Sequence, residues 1–153
     1  MSPDRPAHSY RDDPTVPAFP DSGPVYFVDG ECALCSRWAR LIVRLDHSGE
    51  ARICAVQSPI GRAVLTHYGL DPDDPASWLY LEGGRAYGSM EGIAAAGRRL
   101  GGWLGWVTPV LTLPPKPVQD WLYARIARNR FRVMGRTDLC ALPDPALRAR
   151  LLA

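Results

Sequence analysis

At 153 residues, 46% hydrophobic and with a formal net charge of +2, the chain suits one ordinary globular domain and lacks the strongly basic composition of a nucleic-acid binder. Its four cysteines are too sparse for a secreted disulfide scaffold. The polar start, Met1 to Gly23, has no apolar core of signal-peptide length, and the apolar stretch Trp103–Leu113 is too short and too broken by Gly105 and Pro109 to cross a bilayer. The expectation is a cytoplasmic protein with reduced thiols, where a close cysteine pair carries catalysis or a metal more often than structure.

Residues 1–23 contain Pro3, Pro6, Pro14, Pro17 and Pro20 among Asp and Arg, which predicts a flexible tail that buries too little apolar surface to offset its ordering entropy. Val25–Val28, β-branched and aromatic, predicts a buried strand ending at the Asp29-Gly30 turn. From Cys32 the period changes: Leu34, Trp38, Leu41, Ile42 and Leu45 mark one face of a helix that stops near Gly49. Residues 51–56 predict a second strand. Pro59 can open a second helix, carrying Ala63, Val64 and His67 to a stop near Gly69.

Asp71 to Pro75 is a loop by composition, and residues 78–87, centred on Gly83-Gly84, predict a hairpin. Ser89 then starts a helix that ends near Gly101-Gly102. The order βαβαββα is that of a thioredoxin-like α/β domain over residues 24–102. A helical extension over 103–142 packs on it, and 143–153 form a tail or a short helix. Within the extension, Val118, Trp121, Leu122 and Ile126 predict an apolar face.

Cys32-Ala33-Leu34-Cys35 falls at the first strand-to-helix junction. Two intervening residues place the second sulfur one turn beyond the first. The unpartnered N–H groups and the dipole of a helix start favour a thiolate on Cys32, which attacks a disulfide. Cys35, expected to be the more buried and protonated thiol, resolves the mixed disulfide. Asp29 either relays a proton to and from Cys35 or shapes the turn, and Glu31 opposes a neighbouring thiolate by like charge. Metal sites use the same cysteine spacing, so zinc held by Cys32, Cys35 and Cys140 is the competing reading, although no fourth ligand stands at good spacing. A scaffold that binds a partner through a weakly active dithiol is a third.

The segment Asp29-Gly30-Glu31-Cys32-Ala33-Leu34-Cys35 resembles the signature of the DCC thiol-disulfide oxidoreductase family. The ending Ala127–Arg136, with Asn129-Arg130 and Gly135-Arg136, is similar to that family's, as are Ser89 with its helix and Gly101-Gly102-Trp103; together these span about residues 24–142. The resemblance implies a thioredoxin-like fold and a redox role carried by Cys32 and Cys35 with Asp29 beside them. It implies no bound cofactor and leaves the disulfide or thiol substrate and the electron donor unnamed. In thioredoxin a cis-proline faces the dithiol; aligning Leu79–Leu81 on the following strand puts Ala76 in that slot, with Pro75 next to it.

Cys54 reads as a buried strand residue, and Cys140 as a packed cysteine that could instead fold back on the pair. His47 and His67 read as surface residues. Arg125, Arg128, Arg130, Arg132 and Arg136 read as a solvated basic face able to meet an anionic partner or a membrane surface. Trp103, Trp106 and Trp121 read as core residues, or else as interfacial anchors.

Overall fold

The structure, a computed structural model, describes residues 5–74, 77–139 and 144–152. The strands are β1 (Val25–Val28), β2 (Arg52–Ala55), β3 (Leu79–Glu82), β4 (Arg85–Tyr87) and β5 (Leu151–Leu152). The helices are α1 (Ala33–Leu45), α2 (Pro59–His67), α3 (Ser89–Leu100), α4 (Gly102–Val107), α5 (Lys116–Met134) and α6 (Pro145–Arg148). The five strands form one sheet in the order β4-β3-β1-β2-β5. β1 runs parallel to β2, with Phe27 opposite Cys54, and antiparallel to β3, with Tyr26 opposite Tyr80. This is a thioredoxin-like α/β sheet, with β1 at its centre and α4 to α5 as the helical extension.

Strand alternation divides the core. Tyr26, Val28, Ile53 and Tyr80 point to one face, where Ala39 and Ile42 of α1, Ala96 of α3, Leu139 and Leu147 complete the packing. Val25, Phe27, Cys54, Leu79 and Leu81 point to the other, under Val64 and Leu65 of α2. Both faces of β1 are covered, which explains its uninterrupted run of large apolar residues.

A single helix, α2, is too narrow to cover the second face, and the N-terminal segment supplies the rest. The tail expected over residues 1–23 is packed within its described part: Ser9–Asp12 forms a 3-10 turn and Tyr10 is buried. Phe19 stacks on Tyr10 and meets Phe27 edge-on, with centroids 5.4 and 6.0 Å away. Tyr10 donates to Asp21 at 2.6 Å, and the His8 N–H donates to the Gly84 carbonyl at 2.9 Å. Gly83 and Gly84 both have positive φ, and a Cβ on Gly84 would strike His8, so the hairpin turn needs glycine twice over.

His67, expected at the surface, is buried; its Nδ1 lies 2.7 Å from Asp13 Oδ2 and its Nε2 2.9 Å from Ser9 Oγ. At the other end of the chain, Asp144 caps α6 by accepting from the Leu147 N–H, and β5 then joins the sheet beside β2, a strand not expected from the sequence.

The extension packs differently from its sequence pattern. Gln119, Ala127 and Arg130 of α5 face inward, spaced by a helical period, while Val118, Leu122 and Ile126 are exposed. Trp103, Trp106 and Trp121, read as core, are 61%, 86% and 61% exposed. The inward contact of this layer is tight because Gly97 of α3 leaves no room for a Cβ against Thr108. No helix among the described residues is long and apolar enough to cross a membrane.

Candidate active site

β1 delivers Asp29 to the centre of the sheet's end. One oxygen of its carboxylate, Oδ1, accepts from the Glu31 N–H at 2.9 Å, fixing the turn, and from Gln57 Nε2 at 2.7 Å. The same Gln57 accepts the Gly30 N–H through Oε1 at 3.0 Å, so one amide clamps both residues and its orientation follows from the two bonds. The second oxygen, Oδ2, takes a 2.6 Å bond from Arg130 Nη2 of α5, with the two side chains 11% and 6% exposed. Asp29 thus both shapes the turn and holds a buried counter-ion.

Cys32 follows as the N-cap of α1, in extended conformation, and its carbonyl accepts the Ser36 N–H at 3.0 Å. Cys35 stands one turn on, inside the helix. Both thiols are free. The Cys35 thiol is pushed up to about 12, chiefly by burial, then by the negative charge at Cys32, by the hydrogen bond to Cys32 and by Asp29; Arg130 pulls the other way. Glu31 is not a bare negative neighbour, since Arg136 Nη1 lies 3.3 Å from its Oε2.

The relative exposure of the two sulfurs is the reverse of that expected. Cys32 is 0% exposed, whereas Cys35 is only partly buried. The cause is a backbone strip that follows α5. The Leu139 N–H donates to Gly30, the Thr137 N–H to Glu31, and the Gly135 carbonyl accepts from Ala33, at 2.8, 2.9 and 3.3 Å. Arg136 pairs with Cys32 as an antiparallel bridge. Cys35 instead lines a cavity of about 240 Å³ with Trp38, Trp78, Met90, Tyr123 and Arg130. Its walls are almost wholly apolar.

The family's sequence model, that of DCC1-like thiol-disulfide oxidoreductases, matches residues 26–136. The chain belongs to this family. Within it, the chain is 33% identical over 129 residues to the uncharacterized protein YuxK of Bacillus subtilis (strain 168), covering 84% of this chain and 93% of the relative. It is 30% identical over 122 residues to the DCC family protein At1g52590, chloroplastic, of Arabidopsis thaliana, covering 80% and 71%. No solved structure gives a significant match. Family membership indicates redox chemistry on thiol or disulfide substrates.

The family match ends at Arg136, so it takes in Asp29, both cysteines of the pair, Gln57 and Arg130. Of the residues singled out from sequence, Asp29, Cys32 and Cys35 come together. Arg130 joins them as the partner of Asp29 and not as part of a solvated basic face. Cys54 is buried on the opposite face beside Ser58 Oγ, 3.2 Å from its sulfur. Cys140, Pro75 and Ala76 lie outside the described residues. Among the described residues no three metal-ligating side chains cluster. Gln57 was missed altogether: a lone glutamine after a strand gives no signal until the sheet places it beside Asp29.

Proposed function

We propose that this DCC-family protein exchanges thiols and disulfides through Cys32 and Cys35. One observation carries the reading: two free cysteines straddle the first turn of a helix, beside a buried carboxylate–guanidinium pair. Cys32, at the N-cap, is the nucleophile. Its thiolate attacks one sulfur of a substrate disulfide, forms a mixed disulfide and expels the other sulfur as a thiolate, which takes up a proton. Cys35 then gives up its proton, with Asp29 as the nearby base and Arg130 stabilising the nascent thiolate. The Cys35 sulfur attacks Cys32, releases the second substrate thiol and leaves a Cys32–Cys35 disulfide. Two electrons pass from protein to substrate, and an external dithiol returns them.

Because Cys32 is covered, the first attack requires the strip at Gly135–Leu139 to part from Gly30–Ala33, a local opening that breaks three backbone hydrogen bonds. The cavity beside Cys35 then offers an apolar wall to the substrate. This chemistry belongs in a reducing compartment such as the cytoplasm, where a close dithiol is returned to its reduced state between turnovers.

The test uses a small disulfide as substrate and dithiothreitol as electron donor. Cys32→Ser is expected to abolish turnover, and Cys35→Ser to accumulate a mixed disulfide detectable by intact mass. Wild-type turnover in both variants would overturn the reading.

A further inference from the structure

Every large apolar side chain that is exposed among the described residues falls between Trp103 and Val133. A soluble monomer rarely gathers so much apolar surface in one place without a use for it. On the first arm, Trp106 is 86% and Leu113 77% exposed. On α5, Val118, Leu122, Ile126 and Val133 succeed one another at spacings of four, four and seven, forming an outward stripe. Alongside that stripe run Trp121, Arg125, Arg128 and Arg132, with the Arg125 guanidinium 5.7 Å from the Trp121 ring centre.

Charge is distributed with the same bias. Residues 103–133 hold five cations and one carboxylate, while the rest of the chain holds 13 cations and 15 carboxylates. The carboxylate, Asp120, is already paired with Lys116 at 2.8 Å.

We propose that α4, the turn after it and the outer side of α5 dock on an anionic lipid bilayer. Tryptophan and aliphatic side chains enter the interfacial layer, while Arg125, Arg128 and Arg132 meet lipid phosphates. A symmetric dimer through the same surface is disfavoured because it sets Arg125, Arg128 and Arg132 against their own copies. Ile126 belongs to both the stripe and the wall of the Cys35 cavity, so the docked face reaches the rim of the site. The inference does not depend on the redox reading, and its test requires no turnover.

The reduced full chain is mixed with vesicles of phosphatidylcholine alone or of phosphatidylcholine with phosphatidylglycerol, and binding is read by co-sedimentation and tryptophan emission. Expected are a blue shift and binding to the anionic vesicles that weakens with salt. Trp106→Ser is expected to lower the affinity about tenfold. Arg128→Glu should lower it at least about fivefold through the lost attraction of a cation near the surface. Both side chains point away from the core, so circular dichroism should be unchanged. Absent binding, equal binding to the two vesicle types, or indifference to both substitutions overturns the proposal. So does a concentration-dependent dimer that shifts the emission without lipid.

Discussion

Arg130 Nη2 bonds to Asp29 Oδ2 at 2.6 Å, joining two residues 101 positions apart, with both side chains almost out of reach of water. A bidentate partner would use more of the guanidinium; here Arg130 Nε is buried without a partner, while the cation also lies 4.9 Å from the Phe131 ring centre. Removing the cation strands a buried carboxylate. Arg130→Met is expected to destabilise the protein by about 3–5 kcal/mol. Urea denaturation measures this; a change below about 1 kcal/mol would mean that the Asp29–Arg130 pair is open to water in the folded protein.

Cys35 reactivity should follow its buried, protonated state. With its thiol pushed up to about 12 in the fold against 9.0 when unperturbed, Cys35 is neutral in the folded chain but ionised in the unfolded one between those values. The folded state therefore binds the extra proton, and stability falls as pH rises through this window. Chemical denaturation between pH 9 and 10 should show a downward slope, to which the buried Tyr26 and Tyr80 add as they ionise from 10.0 in the unfolded chain, and Cys35→Ala should make it shallower. Alkylation at pH 9 should spare Cys35 in the native protein and label it in urea.

At acid pH a different group decides. Asp13 is held down at about 2 against 3.8, first by hydrogen bonding from Thr15 and then by His67. Its contribution is present above pH 3.8 and is lost as pH falls towards 2, since the unfolded chain takes up the proton first. Asp13→Asn should flatten that part of the stability profile. An unchanged acid limb would place the Asp13–His67 contact outside the folded state in solution.

Packing of the N-terminal segment has its own measurable cost. Tyr10 is 2% exposed and lies against Phe19. Tyr10→Ala should cost about 3–5 kcal/mol, the usual penalty for emptying an aromatic site in a core. A loss under about 1 kcal/mol would show that the segment is detached.

The covering strip makes a kinetic prediction. Thr137→Pro deletes the N–H that donates to the Glu31 carbonyl at 2.9 Å. One hydrogen bond is worth about 1 kcal/mol net, so opening should become about fivefold more frequent. Cys32 alkylation, followed by peptide mass, should accelerate by about that factor while Cys54 stays protected. An unchanged Cys32 rate would show that Cys32 is reached by another route.

The sequence discloses those features that depend on near neighbours. Val25–Val28 is a strand because four consecutive side chains are large and apolar, and Pro59 starts α2 because its missing N–H costs nothing there. The cysteine pair and Asp29 are legible for the same reason: their relation is set by one turn and one helix start. Features that depend on distant partners were misread. Tyr10 and Phe19 sit among prolines and aspartates, so composition spoke for a tail, whereas the half-covered face of the sheet decided the outcome. Arg130 looks like its neighbouring arginines until α5 is rotated against β1. The Trp residues of the extension follow a core-like pattern, yet the face that packs inward is carried by Gln119, Ala127 and Arg130.

The strip over Cys32 also imposes an order on biogenesis. Cys32 and Cys35 leave the ribosome about a hundred residues before Arg130 and Leu139, the groups that neutralise Asp29 and tie down Gly30. A nascent chain therefore leaves Cys32 uncovered until the segment through Leu139 has emerged. Premature termination before Leu139 would release a polypeptide whose Cys32 lacks its cover.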